Sequence, residues 1–490
     1  MGWHIGCCPT EPKGITMSIV VNNQFVSFGR TPIYSPYKEV TRDNLIDVLH
    51  KAIPVFEKNA SESDYLYNFY KGNQPILYRK KTVRPEIMNT VVVNRAYEIV
   101  TFKTGRFLYK NIQYVNRGDD KMTEVNELNS FMYADGKAGK DRELVDWMHI
   151  TGSAYRFIKD ASAEEGVPFH SYTLDPRRAF VVYSDTVEKY PILGGYFTEN
   201  INDAGVIEKI YTIYTKDSVY TVVNYEIKDE QVHMLGDVPI VEYPCNYARL
   251  GSFEVVLELL NAINTAQSNR LDGVEQFIQA LLVFKNLDVT DEQIQTLQKI
   301  GAICIPSDSD VEYLAQELNQ SQTQTLVDDM YQAVLTICGM PNRNGGSSTS
   351  DNKGAVVLRD GWSAAATAVK ETKQYFEASE RRMLKMALKV FNIYRDAVES
   401  EREELSLSDI DIHFDEGEYE NTYEKAQVLT MLLSNDWVHP RQAYEFSNIS
   451  SDPEAAYAQG KLYHEEQERK LAEELADDVR IHGQDSELPE

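Results

Sequence analysis

Among the residues able to do chemistry, Asp328 and Asp329 come nearest to a metal site, as neighbouring carboxylates in a helix-forming stretch. Paired acids can hold a divalent cation, but this pair reads as a solvated helix face. His464, Glu465 and Glu466 lack the second histidine that a zinc protease places four residues on. The five cysteines, Cys7, Cys8, Cys245, Cys304 and Cys338, form no C-x-x-C pair, which argues against zinc and for reduced thiols. Cys245, Cys304 and Cys338 sit among apolar neighbours and read as core residues. There is no phosphate-binding G-x-x-x-x-G-K-[ST], no G-x-G-x-x-G, no H-E-x-x-H and no G-x-S-x-G. No catalytic residue, metal or cofactor is therefore expected. One stretch keeps a chemical role, MPNRNGGSSTSDN. Its small polar residues Asn344, Ser347 and Ser348 are accompanied by the cations Arg343 and Lys353, which could touch passing phosphates. The plainer alternative is a flexible linker.

The elements that would hold this stretch are long helices. The sequence predicts helices over Ser252–Leu282, Ser321–Gly339 and Lys353–Tyr394. On the first, Leu260 and Ile263 share an apolar face; on the second, Leu326, Met330, Val334 and Ile337 form a stripe. The third carries a 3.5-residue stripe, Leu358, Trp362, Ala365, Val369, Thr372, Phe376, Ser379, Met383, Met386, Val390 and Ile393, as in helices that pack on helices. Gly361 is a candidate kink. Self-association is expected through these long helices together with the β-rich module that precedes them.

Before them, Thr41 is a candidate cap for a helix with Leu45, Val48 and Leu49 inward, weakened at Pro54. A second helix is predicted over Ser61–Tyr70, another over Asn89–Phe107, and a short one over Asp141–Thr151. From Ala154 the period changes to alternating β-branched and aromatic runs, with a hairpin over Tyr211–Val223 turning near Lys216 and Asp217. Asn286–Leu318 reads as a small α/β insert with a helix at Asp291–Ile300, a strand at AICIP and a second short apolar run, VEYLAQEL. After a charged link come a short strand, IDIHF, and three helices. The first of these has Ala426, Leu429, Leu432 and Leu433 inward, and disorder is expected from about Asp478. The class is α+β.

A net charge of -27 disfavours tight non-specific nucleic-acid binding. No apolar run has the length of a membrane span, and the N-terminus lacks the basic start and apolar core of a signal peptide. Met17 is a candidate second start, which would make residues 1–16 a dispensable arm.

The order of several segments resembles the portal proteins of tailed bacteriophages, of the type found in long-tailed phages of Gram-positive hosts. YNFYKGNQPIL, NTVVVNRAYEIVTFKTGRFLYKNIQY, LDPRRAFVVYSD, GSFEVVLELLNAINTAQSNRLDGVE and GMPNRNGGSSTSDNKGAVVL carry the resemblance. Phe107 stands where the family has tyrosine, and Lys110 where it often has glycine. The resemblance implies a ring, usually of twelve subunits, at one capsid vertex, assembled in the host cytoplasm and passing double-stranded DNA. Its implied partners are further copies of the chain, the terminase large subunit, head-completion or adaptor proteins, and the major capsid and scaffolding proteins, with no membrane and no enzyme activity. It divides the chain into an arm (1–40), a wing (41–250), a first stem helix (251–277), a clip (278–318) and a second stem helix (319–339). A tunnel loop (340–354), a long wing helix (355–398), a crown (399–478) and a disordered tail (479–490) follow. Two readings from the residues compete with it: a cytosolic α+β interaction protein, and a nucleic-acid-processing enzyme without a recognisable motif.

Overall fold

The computed structural model describes residues 20–21, 24–25, 29–117, 121–161, 166–201, 205, 207–278, 281–285, 290, 295, 310–314, 320–342, 361–398, 404–414, 422–447, 449–450 and 453–484. Its helices are α1 (Leu45–Tyr70), α2 (Arg95–Phe107), α3 (Met122–Ala134), α4 (Lys137–Thr151), α5 (Leu257–Ile278), α6 (Gln320–Ile337), α7 (Trp362–Val398), α8 (Thr422–Leu433), α9 (Pro440–Ser447) and α10 (Pro453–Gln484).

The helix expected to weaken at Pro54 and the separate one expected over Ser61–Tyr70 are a single helix. One helix, α1, runs from Leu45 through Pro54 to Tyr70. The proline is on the exposed side, and the carbonyl it leaves without a helical donor belongs to exposed His50. The inward residues Leu45, Leu49, Ala52, Ile53 and Phe56 lie on the opposite face and hold the helix down. Asn44, not Thr41, is the N-cap; Thr41 contributes its carbonyl, which accepts from Leu45 N at 3.0 Å.

Antiparallel strands carry the β-rich module. A six-stranded sheet runs in the order Glu226–Val232, Ser218–Val223, Ile207–Tyr214, Pro191–Ile201, Ala179–Ser184 and Ile33–Ser35. Only its last pair is parallel. The predicted hairpin is present, with Val219 opposite Tyr214 and the turn at Lys216 and Asp217. A second sheet orders Ile240–Pro244, Ser153–Asp160 and Phe169–Leu174. Helix α1 covers the larger sheet, with the Phe56 ring 4.8 Å from Phe180.

Helix α7 covers the smaller sheet. Phe376, Met383, Met386 and Phe391 pack with Val241, Tyr243, Ala154 and Ile158, and with Leu128 of α3 and Leu144 of α4. The stripe expected to drive self-association is thus buried inside the subunit over most of its length. Ile393 alone of its described members is exposed. Gly361, at φ +80°, precedes the helix rather than kinking it. Lys353 and Leu358, where the helix was expected to begin, lie outside the described residues.

A buried ionic knot fixes the register of α7 on the sheet. Glu380 accepts from Tyr114 OH (2.6 Å), Tyr243 OH (2.6 Å), Lys137 Nζ (2.7 Å) and Arg156 Nη1 (3.3 Å). Asp141 takes the other contacts of Lys137 (2.7 Å) and Arg156. All six side chains are buried, two cations against two anions with phenol donors completing the set.

Several boundaries move. Helix α4 starts at Lys137 rather than Asp141, and α3 was not foreseen. The IDIHF strand forms at Ile410–His413 and pairs with Gln113–Asn116, nearly 300 residues earlier. On α8, Ala426 and Leu433 are exposed and Leu429 and Leu432 only half-buried, against the inward placement expected. Helix α10 continues to Gln484, past the expected onset of disorder at Asp478. Pairs four residues apart, such as Lys470–Glu466 (2.9 Å) and His464–Glu468 (3.5 Å), support it from its own surface.

Candidate functional site

Helices α5 and α6 form an antiparallel pair. Cys338 Sγ, just past the end of α6, donates to the Ser252 carbonyl before α5 (3.5 Å), while Arg270 and Gln324 meet at the other end (2.5 Å). Beyond that end, Leu281–Lys285 pairs antiparallel with Asp310–Leu314. Helix α5 therefore ends at Ile278 and gives way to a strand, where a helix to Leu282 was expected. The AICIP strand and the 291–300 helix lie outside the described residues.

The apolar faces divide. Leu260 and Ile263 of α5 and Val334 of α6 are buried together with Leu66 and Phe69 of α1 and Ile99 and Val100 of α2. Met330 is half-buried against them. Leu326 and Ile337, each 55% exposed, face away, as do Leu271 and Val274 of α5. The first group packs the pair within one subunit, and the second is apolar surface that the described residues leave exposed.

A strap secures α5 from outside. The sequence predicted a helix from Asn89, yet residues 89–94 form neither helix nor strand, and α2 begins at Arg95 behind the N-cap Asn94. The amides of Asn89, Val91 and Val93 donate to Asp272 Oδ1 (2.7 Å), Ser268 Oγ (2.9 Å) and Asn264 Oδ1 (2.8 Å). Two residues of extended chain advance about 6.6 Å and four of helix about 6.0 Å, so the two repeats match over this length. Arg79 and Lys81 also bind Asp272. Burial raises the Asp272 carboxyl, but the Asn89, Lys81 and Arg79 hydrogen bonds outweigh it and hold it low.

A second ionic knot anchors the root of α5. Arg30 contacts Glu62 of α1 (3.0 Å) and Glu254 (2.5 Å), and donates to the Thr151 carbonyl (3.2 Å). Gly152 ends α4 at φ +84°, and a Cβ there would lie 2.0 Å from the Arg249 carbonyl oxygen, so this crossing requires glycine.

Beside this root His149 Nδ1 lies 2.8 Å from Ser252 Oγ and 3.7 Å from Cys245 Sγ. The contact has the makings of a nucleophile and base, but its electrostatics are wrong. Burial lowers the imidazole to about 3, helped by Lys103, and raises the Cys245 thiol. Both groups are held neutral, the reverse of a thiolate–imidazolium pair. Cys338 is also buried, its thiol raised to about 11 by burial. These two cysteines are core residues, as read from the sequence; Cys7, Cys8 and Cys304 lie outside the described residues. Asp328 and Asp329 are exposed, and the described residues hold no group of three or more His, Cys, Asp or Glu fit for a metal.

Arg343, Asn344, Ser347, Ser348 and Lys353 lie outside the described residues. The ends flanking them meet: Gly339 is at φ +62°, and a Cβ on Gly361 would lie 3.8 Å from the Met340 carbonyl oxygen. Among the described residues, no helix is long and apolar enough to cross a membrane.

Among solved structures, the neck of an empty GTA particle computed with C6 symmetry is similar to this chain at a TM-score of 0.42 and 10% sequence identity. The likeness covers 72% of this chain and 90% of that one. No curated protein matches. A family model described as phage portal protein, SPP1 Gp6-like, matches residues 49–478. That span takes in the smaller sheet, five of the six strands of the larger one, the antiparallel helix pair and the segment between Gly339 and Gly361, and the chain belongs to this family of phage portal proteins.

Proposed function

We propose that the chain is the subunit of a closed ring of about twelve copies at one vertex of a capsid, with a channel that passes double-stranded DNA. The observation that carries this reading is the family match over residues 49–478. The exposed apolar face of Leu326 and Ile337 on a helix pair already packed within its own subunit supports it, because such a face needs a partner. In this reading residues 251–277 and 319–339 are the stem, 278–318 the clip, and 340–354 the loop toward the channel, with Arg343 and Lys353 giving brief phosphate contacts. The ring is a structural part of the virion that docks the terminase large subunit, then head-completion proteins, and sits among capsid and scaffolding proteins. It does no covalent chemistry.

Native mass spectrometry and negative-stain microscopy of the full chain test the proposal. Closed rings are expected, with weak, sequence-independent binding of linear duplex DNA. A chain that stays monomeric at micromolar concentration, with and without salt, refutes the ring. Nanomolar affinity for a defined DNA sequence at physiological salt refutes the sliding channel. Deleting Gly345–Ser350 is expected to leave rings intact and to reduce the DNA packaged per capsid; normal packaging would return the segment to a linker.

A further inference from the structure

An open cleft of about 520 Å³ lies where one end of the six-stranded sheet meets α7. Its walls carry Lys38, Lys216, Arg382 and Lys385 against two acids, Glu39 and Asp237. Asp237 is taken by Lys385 (3.1 Å). Lys38, Lys216 and Arg382 have no carboxylate within ion-pair distance among the described residues. Gly236 admits a fifth cation: a Cβ there would lie 2.5 Å from Lys389 Nζ. The Tyr190 hydroxyl donates to the Lys38 carbonyl (2.7 Å) and ties two walls together. Between the walls lie the apolar residues Val40, Pro191 and Ile192.

Grouped cations without counter-charges repel one another, and this chain has 76 acidic residues to its 49 lysines and arginines. Acidic partners are abundant in it, yet the described residues supply this cleft with only Glu39 and Asp237, and Asp237 is taken by Lys385. Resting on the ring reading, we propose that the cleft receives an acidic segment of a neighbouring copy of the chain. A ring closes through two different surfaces on each subunit, which must complement each other. Two subunits of large negative charge approach most readily where one presents cations. Val40, Pro191 and Ile192 are themselves buried, so charge is what the cleft offers a partner, and the acidic surface of a second copy supplies the opposite sign.

The test is a charge reversal of two exposed cations without ion-pair partners, Lys38→Glu with Lys216→Glu, in the full chain. Circular dichroism and thermal melting establish that the variant is folded. The concentration for half-maximal ring assembly is then measured by native mass spectrometry over a range of salt. The wild type is expected to assemble less well as salt rises, and the variant to need at least about tenfold more protein at low salt. Carbodiimide coupling of rings mixed from isotopically light and heavy chains is expected to join Lys38, Lys216 or Lys385 to a carboxylate of another copy. Rings that form equally well in the folded variant, or couplings of these lysines only within one chain, overturn the proposal and leave the ring reading standing. A wild type that never forms rings overturns both. Unchanged assembly with lost binding of short duplex DNA assigns the cleft to phosphates instead, and overturns it as stated.

Discussion

Replacing Glu380 with glutamine keeps the side chain's shape and removes one charge from the knot beneath α7. In the wild type, Lys137 and Arg156 face Glu380 and Asp141, all buried. The variant leaves two cations against one anion in a site closed to water. Its amide also faces donors on both sides, since Tyr114 and Lys137 point at one oxygen and Tyr243 and Arg156 at the other. Breaking one partner of such a buried network costs about 3–5 kcal/mol. Adding Lys137→Met to Glu380→Gln restores neutrality, with Arg156 left on Asp141. The double variant is therefore expected to be more stable than the single Glu380→Gln, although it carries one more substitution. Urea unfolding followed by near-ultraviolet circular dichroism reads this through Tyr114 and Tyr243. A Glu380→Gln variant within about 1 kcal/mol of wild type, or a double variant weaker than the single, refutes the charge-balance argument. Acid gives a second reading. Burial raises the Glu380 carboxyl, but Lys137 and Arg156 bring it well below the ordinary 4.5. Its contribution is fully present above about pH 4.5 and is lost as pH falls below that toward the folded value, so Glu380→Gln should flatten that part of the acid profile.

Three further outcomes are expected. Val334→Asp puts a charge at a fully buried position between α5 and α6 and should cost roughly 3 kcal/mol or more, seen as lost helix signal, whereas Leu326→Asp should leave the monomer's melting unchanged and weaken ring assembly. His149 is held near 3 in the fold against 6.5 unfolded, so its neutral burial supports stability above pH 6.5 and loses it as pH falls; by pH 5 the loss is about 2 kcal/mol, and His149→Gln should remove that slope in melts at a series of pH values. Ser268→Ala removes the acceptor of the Val91 amide and should speed that amide's hydrogen exchange roughly fivefold to thirtyfold, corresponding to about 1–2 kcal/mol, without moving the global unfolding midpoint by as much.

The sequence was legible where apolar periodicity alone determines an element. The hairpin at Lys216 and Asp217, the strand at Ile410–His413 and the three long helices follow from spacing, because each must bury one face. Reading failed where another segment supplies what the local pattern lacks. Val91, Val92 and Val93 lie in a stretch with a helical face, but Asn264, Ser268 and Asp272 satisfy its amides from the side and make a non-helical strap possible. Pro54 was expected to weaken the first helix, with a separate helix to follow, because its ring removes one hydrogen bond, while the packing of Leu49, Ile53 and Phe56 outweighs that loss. The polar strand Glu226–Val232 has almost no apolar signal and is held by the register of its neighbour.

The candidate site shows the same limit more sharply. Leu326, Met330, Val334 and Ile337 form one stripe in sequence, and periodicity places them together. The fold separates them, with Val334 facing the subunit's own core and Leu326 and Ile337 facing out. A helical stripe reports that a face is apolar, not whose surface will cover it. On α7 the corresponding stripe is consumed inside the subunit by the core it shares with Tyr243 and Leu144, so the longest apolar pattern in the chain is mostly spent on folding. In the proposed ring, what remains for contacts between subunits is the surplus, apolar residues on α5 and α6 and cations around Lys216 without an ion pair among the described residues, and neither can be identified until the fold has taken its share. The charge reversal at Lys38 and Lys216 and the Leu326→Asp substitution therefore probe separate parts of that surplus, one salt-sensitive and one not. If the two surfaces belong to a single ring contact, their effects on assembly should combine more than additively, and additive effects would place them on different contacts.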